Sequence, residues 1–200
     1  MTPSGRLYPV DTRLRPNGRA GSLVSSLDAF AEYQLHHAWT WELQGLTRAS
    51  CIAGDAATAD QFGRIRREAL MRPRQEEVVC AELADMRNRM LLELAGEAGA
   101  NSPKHQPGGL VDIEWVVQLG VLARASTSLE LVQETSIPGQ LRALVDIGWL
   151  AAADADILRE TARALHEQRM LQTLVPGEER AGVDTRAAAE IFTRLLRRNT

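Results

Sequence analysis

The chain has 200 residues, of which 44% are apolar and 24% are charged, with a formal net charge of −3. This composition supports a buried core and excludes a wholly disordered chain, and its acidic balance argues against a nucleic-acid binder that works by neutralising phosphates. No apolar run approaches the roughly 20 residues that span a bilayer, and the first residues lead into no apolar segment, so we predict neither a membrane protein nor a secretory signal.

The first predicted element is a β strand. Residues 7–15 alternate, with apolar side chains on one face and Asp11, Arg13 and Arg15 on the other. A period of two is typical of a strand. Because Pro9 has no N–H to donate, we expect an edge strand.

A turn follows this strand. Pro16-Asn17-Gly18 has the composition of a turn, and Ser22-Leu23-Val24 is predicted as a short return strand. A single hairpin has little independent stability, so we expect it to belong to a larger sheet.

The rest of the chain is predicted to be helical. Ser26 is suited to cap the first helix, which runs through Phe30, Tyr33 and Leu35. An apolar stripe with helical spacing marks the longest helix; it comprises Val79, Leu83, Met86, Met90 and Leu94. The later predicted helices cover residues 39–54, 56–71, 76–98, 110–125, 138–147, 151–174 and 184–198. The predicted fold class is therefore mainly α, a helical bundle that follows a short β hairpin.

One face of the first strand carries residue types used in phosphoryl transfer. Two-metal nucleotidyl transfer needs carboxylates for Mg²⁺ and cations for the triphosphate, and Asp11 shares that face with Arg13 and Arg15. The alternative is a solvated edge strand with Asp–Arg pairing, which the spacing by itself favours.

A second candidate lies at the predicted start of the helix at residue 110. Lys104 is the only lysine among the 23 basic residues, and it precedes Gly108 and Gly109. Glycines at a helix N-terminus bring N–H groups close to a phosphate, although most such pairs are ordinary loop-to-helix turns. Asp112 and Glu114 follow in the first turn, where acids also stabilise the helix dipole; being two apart, they do not share a face.

The segment around residue 40 offers aromatic and acidic side chains. Trp39 and Trp41 are candidates for stacking on a base or a partner, but we favour core or domain-interface anchors. Glu42 is expected either to orient Arg48 or to cap its helix, and we favour a structural role.

The remaining histidines and cysteines do not form a catalytic pattern. His36 and His37 follow Glu32 by about one turn, yet without a third ligand a solvated or capping pair is favoured over a metal site. Cys51 and Cys80 lack metal-ligand spacing, which is typical of reduced thiols in a cytoplasmic protein. No arrangement predicts nucleophilic catalysis.

Three segments together carry a family resemblance. They are Gly5-Arg-Leu-Tyr-Pro-Val-Asp-Thr-Arg-Leu-Arg-Pro-Asn-Gly18, Ala38-Trp-Thr-Trp-Glu-Leu-Gln44 and Gly108-Gly-Leu-Val-Asp-Ile-Glu114. In this order and separation they resemble the bacterial glutamine synthetase adenylyltransferase family. Its members carry two related nucleotidyltransferase halves, one that removes AMP from glutamine synthetase and one that attaches AMP from ATP to a tyrosine of that enzyme. The first two segments resemble the attaching, C-terminal half.

The resemblance implies a nucleotidyltransferase palm followed by a helical domain. Residues 1–25 are then the last strands of an incomplete palm, and residues 26–200 are the helical domain. Mg²⁺ and ATP are the implied cofactors, and glutamine synthetase and a PII signalling protein are the implied partners. The resemblance places Asp11 on the catalytic metal, then Arg13, Arg15, Lys104, Gly108 and Gly109 at the nucleotide, with Glu42, Arg48, Asp112 and Glu114 as supporting residues around them.

One departure from the family bears on activity. In the family the first metal-binding carboxylate pair comes from a Gly-Ser-x-x-Asp-x-Asp segment upstream of the matched strand, and this chain contains no such segment. A single aspartate does not hold two Mg²⁺ ions, each of which needs several oxygen ligands. We therefore expect a chain truncated at its N-terminus and inactive alone. The alternatives are a non-catalytic helical module that binds glutamine synthetase or a PII-type regulator, and a fragment without an independent role.

Overall fold

The computed structural model describes residues 21–94, 102–175 and 181–198. Within these ranges the chain forms α helices and no β strand, so the mainly α class is confirmed. The helices are α1 (Leu27–His36), α2 (Thr40–Leu46), α3 (Ala56–Leu70), α4 (Glu76–Leu94), α5 (Leu110–Arg124), α6 (Glu130–Gln133), α7 (Ile137–Asp146), α8 (Ala152–Leu174) and α9 (Arg186–Arg197), with a 3₁₀ turn at Ala125–Thr127.

The predicted hairpin is not found in the described part of the chain. Its first strand, residues 7–15, lies outside the described residues. The predicted return strand is wrong, because Ser22, Leu23 and Val24 form no strand. Leu23 and Val24 are 68% and 81% exposed, so the described part of the chain does not bury these apolar side chains.

Local capping explains where several helices begin. The Ser26 hydroxyl accepts a hydrogen bond from Ala29 N at 3.2 Å, which confirms the predicted cap of α1. Asp55 accepts from Thr58 N at 2.7 Å in the same way at the start of α3. Such oxygens satisfy N–H groups that have no partner in the first turn of a helix, which is why the predicted starts agree with the observed ones.

Helix α2 ends earlier than predicted, at Leu46 rather than near residue 54. The buried guanidinium of Arg66 donates to Leu46 O at 2.9 Å and to Thr47 O at 2.6 Å. These bonds occupy the carbonyls that a longer helix would use, so the chain turns there. The prediction also missed α6, since four residues are too few to show a helical period.

Helix α5 lies at the centre of the bundle. It packs against α2, α4, α7, α8 and α9. Its side chains are buried almost all the way round, as expected of a core helix. The apolar stripe of α4 starts in this core at Val79 and Leu83 and becomes partly exposed at Met86 and Met90.

None of the helices in the described ranges combines the length and the apolarity needed to cross a bilayer.

Candidate functional site

The loop 102–109 and the start of α5 share a network of hydrogen bonds that includes several predicted site residues. Gly108 has φ +69° and lies against the start of α9, where a Cβ atom would meet Thr185 O at 2.2 Å. The hydroxyl of Thr185 donates back to Pro107 O at 2.8 Å. Glycine is therefore required at 108 by both backbone conformation and close packing.

The N–H groups at this helix start are already engaged inside the protein. Gly108 N donates to Asp112 Oδ2 at 2.7 Å, and Gly109 N donates to Gln106 O at 2.8 Å. Leu110 N and Val111 N donate to carbonyls of the same loop, Pro103 O at 3.2 Å and Lys104 O at 3.1 Å. These donors therefore close the loop in this geometry, and the nucleotide contact expected at Gly108 and Gly109 stays a prediction.

Asp112 is part of a buried ion pair. Its Oδ1 atom lies 2.6 Å from Arg87 Nε, and the two side chains are 4% and 6% exposed. Arg87 also donates from Nη2 to His105 O at 3.0 Å. The pair thus joins α4, α5 and the loop 102–109. Sequence analysis missed Arg87, although its position four residues after Leu83 within the apolar stripe of α4 was a usable signal.

Glu114 points to a different neighbour, as the two-residue spacing predicted. Its Oε1 accepts from Arg48 Nη1 at 2.6 Å, and the side chains are 26% and 41% exposed. Gln118 lies one turn after Glu114 in α5, and its Oε1 accepts from Nε2 of Gln44, four residues before Arg48, at 2.8 Å in a buried contact. Arg48 and Glu114 therefore belong to a row of polar contacts that aligns α2 with α5.

Glu42 has the structural role that the sequence favoured. It is 8% exposed and accepts from the Trp39 backbone N–H at 2.9 Å, which caps α2. It also accepts from the Tyr33 hydroxyl at 2.9 and 3.0 Å, which ties α1 to α2. The alternative that Glu42 orients Arg48 is wrong, since the recorded carboxylate partner of Arg48 is Glu114.

The two tryptophans are not core anchors. Trp39 is 68% exposed and Trp41 is 38% exposed. The prediction of core burial is therefore wrong for both, and the role of interface anchor stays a prediction.

Lys104 and His105 are neighbours in the loop but differ in exposure. Lys104 is exposed and His105 is partly exposed. Burial, followed by the positive charges of Lys104, Arg87 and Arg169, lowers the pKa of His105, and the Asp112 carboxylate opposes this shift. The loop thus carries a local excess of positive charge, and a nucleotide contact at Lys104 stays a prediction.

The remaining predicted residues divide into two groups. Asp11, Arg13 and Arg15 lie outside the described residues. His36 and His37 have side chains that are 51% and 63% exposed, on either side of Glu32 at 3.8 and 3.7 Å, which confirms a solvated pair. Over the described ranges, no three His, Cys, Asp or Glu side chains are grouped so that they could hold a metal ion.

Comparison with known proteins gives one consistent result. Residues 1–65 match the family model of glutamate-ammonia ligase adenylyltransferase. The chain is 42% identical over 174 residues to the bifunctional glutamine synthetase adenylyltransferase/adenylyl-removing enzyme of Xanthomonas campestris pv. campestris strain B100, covering 86% of this chain and 19% of that protein. It is 44% identical over 167 residues to the protein of the same description from Stenotrophomonas maltophilia strain K279a, covering 83% of this chain and 17% of that protein. The chain therefore spans about a fifth of the length of these relatives.

Proposed function

The chain belongs to the glutamate-ammonia ligase adenylyltransferase family, and on that premise we propose that it contributes the helical domain of an enzyme that transfers AMP from ATP to a tyrosine of glutamine synthetase. Residues 26–200 form this domain, and the strand predicted at residues 7–15 belongs to the nucleotidyltransferase palm. The 200-residue chain by itself is inactive, because its sequence has no Gly-Ser-x-x-Asp-x-Asp segment.

The observation that carries this proposal is that three predicted carboxylates of the described region, those of Glu42, Asp112 and Glu114, already have hydrogen-bond or ion-pair partners. Glu42 is held by Tyr33 and the backbone of Trp39, and Asp112 is held by Arg87. Glu114 is paired with Arg48 in the same way. Because all three carboxylates already have strong donors, they serve to build the bundle, and the chemistry falls to other residues.

The cofactors of the complete enzyme are Mg²⁺ and ATP in this proposal. Asp11 is the one predicted metal ligand of this chain, with Arg13, Arg15 and Lys104 near the nucleotide. Glu42, Asp112 and Glu114 do not fit a Mg²⁺ site, because a hard cation needs several free oxygens and the oxygens of these residues accept hydrogen bonds from arginine, tyrosine and backbone donors.

Transfer of labelled AMP from Mg-ATP to purified glutamine synthetase tests the proposal. The 200-residue chain, shown by circular dichroism to be helical, is expected to give no transfer above background. A chimera in which this chain replaces its matched segment in the Stenotrophomonas maltophilia relative is expected to be active, and to lose activity with Asp11→Asn.

Two results would contradict this function. Transfer by the isolated chain, abolished by Asp11→Asn, would show that it assembles a working site alone. An inactive chimera that is folded and still binds ATP would show that this helical domain has lost the function of the family.

The second candidate is a non-catalytic module that binds glutamine synthetase or a PII-type regulator. The exposed Trp39 side chain favours it, since a large aromatic group at the surface is typical of a contact with another protein. Sedimentation of the chain with each purified protein tests this candidate. Failure to cosediment with either, together with an active chimera, would eliminate it.

A further inference from the structure

A small cleft opens between the start of α2 and the middle of α4, and we call it the tryptophan cleft. Its volume is about 140 Å³. It is lined by Trp39, Thr40, Trp41 and Gln44 from the α2 side and by Glu82, Leu83, Asp85, Met86 and Arg89 from α4. The lining thus combines two exposed indole rings, those of Trp39 and Trp41, with three charged side chains, those of Glu82, Asp85 and Arg89.

The charges of the cleft favour a cation. Glu82 and Asp85 contribute two carboxylates, and Arg89 contributes the one guanidinium among its lining residues. The net charge of the lining is therefore negative beside two indole rings. Tryptophan faces attract cations, most often arginine, and a planar guanidinium both stacks on an indole and pairs with a carboxylate.

The contacts within the cleft show how accessible these carboxylates are. Asp85 pairs with Arg89 one turn away at 2.6 Å, and both side chains are at least 60% exposed. Such a surface pair contributes little to stability, so an incoming cation competes with Arg89 at low cost. Glu82 accepts a hydrogen bond from the neutral hydroxyl of Thr40, and no cation of the described residues forms an ion pair with its carboxylate.

The size of the cleft excludes a nucleotide as its occupant. Pockets for small ligands usually measure roughly 300–1,000 Å³, whereas about 140 Å³ matches a single side chain. Clefts that receive one aromatic or arginine anchor are typical of the energetic centres of protein–protein contacts.

We propose that the tryptophan cleft receives an arginine side chain of a partner protein, with its guanidinium between the indoles of Trp39 and Trp41 and the carboxylate of Glu82. The proposal does not depend on AMP transfer, since it rests on the lining of the cleft alone. It also gives Arg89 a defined role, that of an internal competitor for the same site.

The indole N–H resonances of the chain provide the test. The chain has four tryptophans, and Trp149 is a reference because it is buried with its Nε1 donating to Glu76 at 3.1 Å. The probe is the dipeptide N-acetyl-leucyl-arginine amide, compared with its citrulline analogue, which has nearly the same shape but no charge. We expect saturable shifts at Trp39 and Trp41, little change at Trp149, and at least about threefold weaker binding of the citrulline analogue, the factor that a weak cation–π contact implies.

Three surface variants make the test specific. Glu82→Gln is expected to weaken binding about threefold, and Arg89→Gln is expected to strengthen it, because the first removes the pairing charge and the second removes the competitor. Glu77→Gln is the matched control, since Glu77 is exposed on the same helix and does not line the cleft.

Each of the following outcomes would overturn the proposal. The dipeptide could leave Trp39 and Trp41 unshifted, or the citrulline analogue could bind equally well. Glu82→Gln and Arg89→Gln could change the affinity in the same direction. Shifts of the same two indoles with protein concentration, in the absence of peptide, would assign the cleft to a second copy of this chain instead of a separate partner.

Discussion

Asp112 accepts from two donors that belong to different parts of the bundle, and Arg87 is the one that carries charge. Its Nε lies 2.6 Å from Asp112 Oδ1, while Gly108 N lies 2.7 Å from Asp112 Oδ2. Because both charged side chains are more than nine-tenths buried, each depends on the other for compensation. Burial of such a pair costs desolvation energy, so its net contribution is modest, but loss of one partner leaves a charge in the core.

Asp112→Asn is therefore expected to destabilise the protein strongly. The neutral side chain leaves Arg87 buried without a counter-charge, which costs about 3–5 kcal/mol in the free energy of unfolding. Urea denaturation followed by circular dichroism measures this loss. Glu114→Gln is the matched control two residues away, and its partly exposed pair with Arg48 predicts a loss below about 1 kcal/mol. Equal losses in the two variants would contradict the structural role assigned to Asp112.

Alanine substitutions at Gly108 and Gly148 distinguish the cost of a left-handed backbone conformation from the cost of a steric clash. Gly108 and Gly148 have φ +69° and +72°, but a Cβ atom at 108 would meet Thr185 O at 2.2 Å, whereas one at 148 would meet nothing within 4 Å. Gly148→Ala is expected to cost about 1–2 kcal/mol from the left-handed conformation alone. Gly108→Ala adds a clash with the backbone at the start of α9, so its cost should exceed that of Gly148→Ala by about 1–3 kcal/mol. Similar unfolding free energies for the two variants would mean that α9 moves aside without cost.

The sequence predicted the helical elements well because their signals are local. Ser26 lies next to the start of α1, which it caps, and capping depends on neighbours within one turn. The partner of Asp112 was not predictable in this way. Arg87 is 25 residues away, and only the packing of α4 on α5 brings the two together.

The exposure of Trp39 and Trp41 was missed for a related reason. An aromatic residue near a helix start is found both in cores and on surfaces. Which of these holds for Trp39 and Trp41 depends on the face of α2 that packs against the bundle. In the structure that face carries Leu43, Gln44 and Leu46. Asp11, Arg13 and Arg15, to which the family resemblance assigns the metal and nucleotide contacts, lie outside the described residues, so their placement stays a prediction.

The depressed pKa of His105 predicts a specific pH dependence of stability. Burial and the nearby cations Lys104, Arg87 and Arg169 disfavour the imidazolium in the folded protein. The unfolded chain then binds a proton at higher pH than the folded one. The free energy of unfolding is therefore highest, as far as His105 contributes, above the pKa of about 6.5 that this group has in the unfolded chain. It declines as the pH falls below that value.

His105→Gln is expected to reduce this decline between about pH 7 and pH 5, because the substituted side chain does not titrate. Urea unfolding at several pH values gives the slope, and the NMR titration of the His105 imidazole gives its pKa directly. A midpoint at or above 6.5 for His105 would contradict the assigned cause. An unchanged slope in His105→Gln would assign the pH dependence to other groups.

A last pair of glycines tests how tightly the central helix is packed. At Gly120 in α5 a Cβ atom would lie 2.6 Å from Leu144 Cδ2 and 2.7 Å from the ring of Trp149, whereas at Gly63 in α3 nothing lies within 4 Å. Both residues are inside helices, where alanine is favoured over glycine by about 0.5–1 kcal/mol. Gly63→Ala is therefore expected to stabilise the protein by about that amount, while Gly120→Ala should destabilise it by about 1–3 kcal/mol because Leu144 and Trp149 must shift in a close-packed core. Thermal and urea unfolding measure both. Stabilisation by Gly120→Ala would show that Leu144 and Trp149 move away from α5 without cost, and it would contradict close packing at this position.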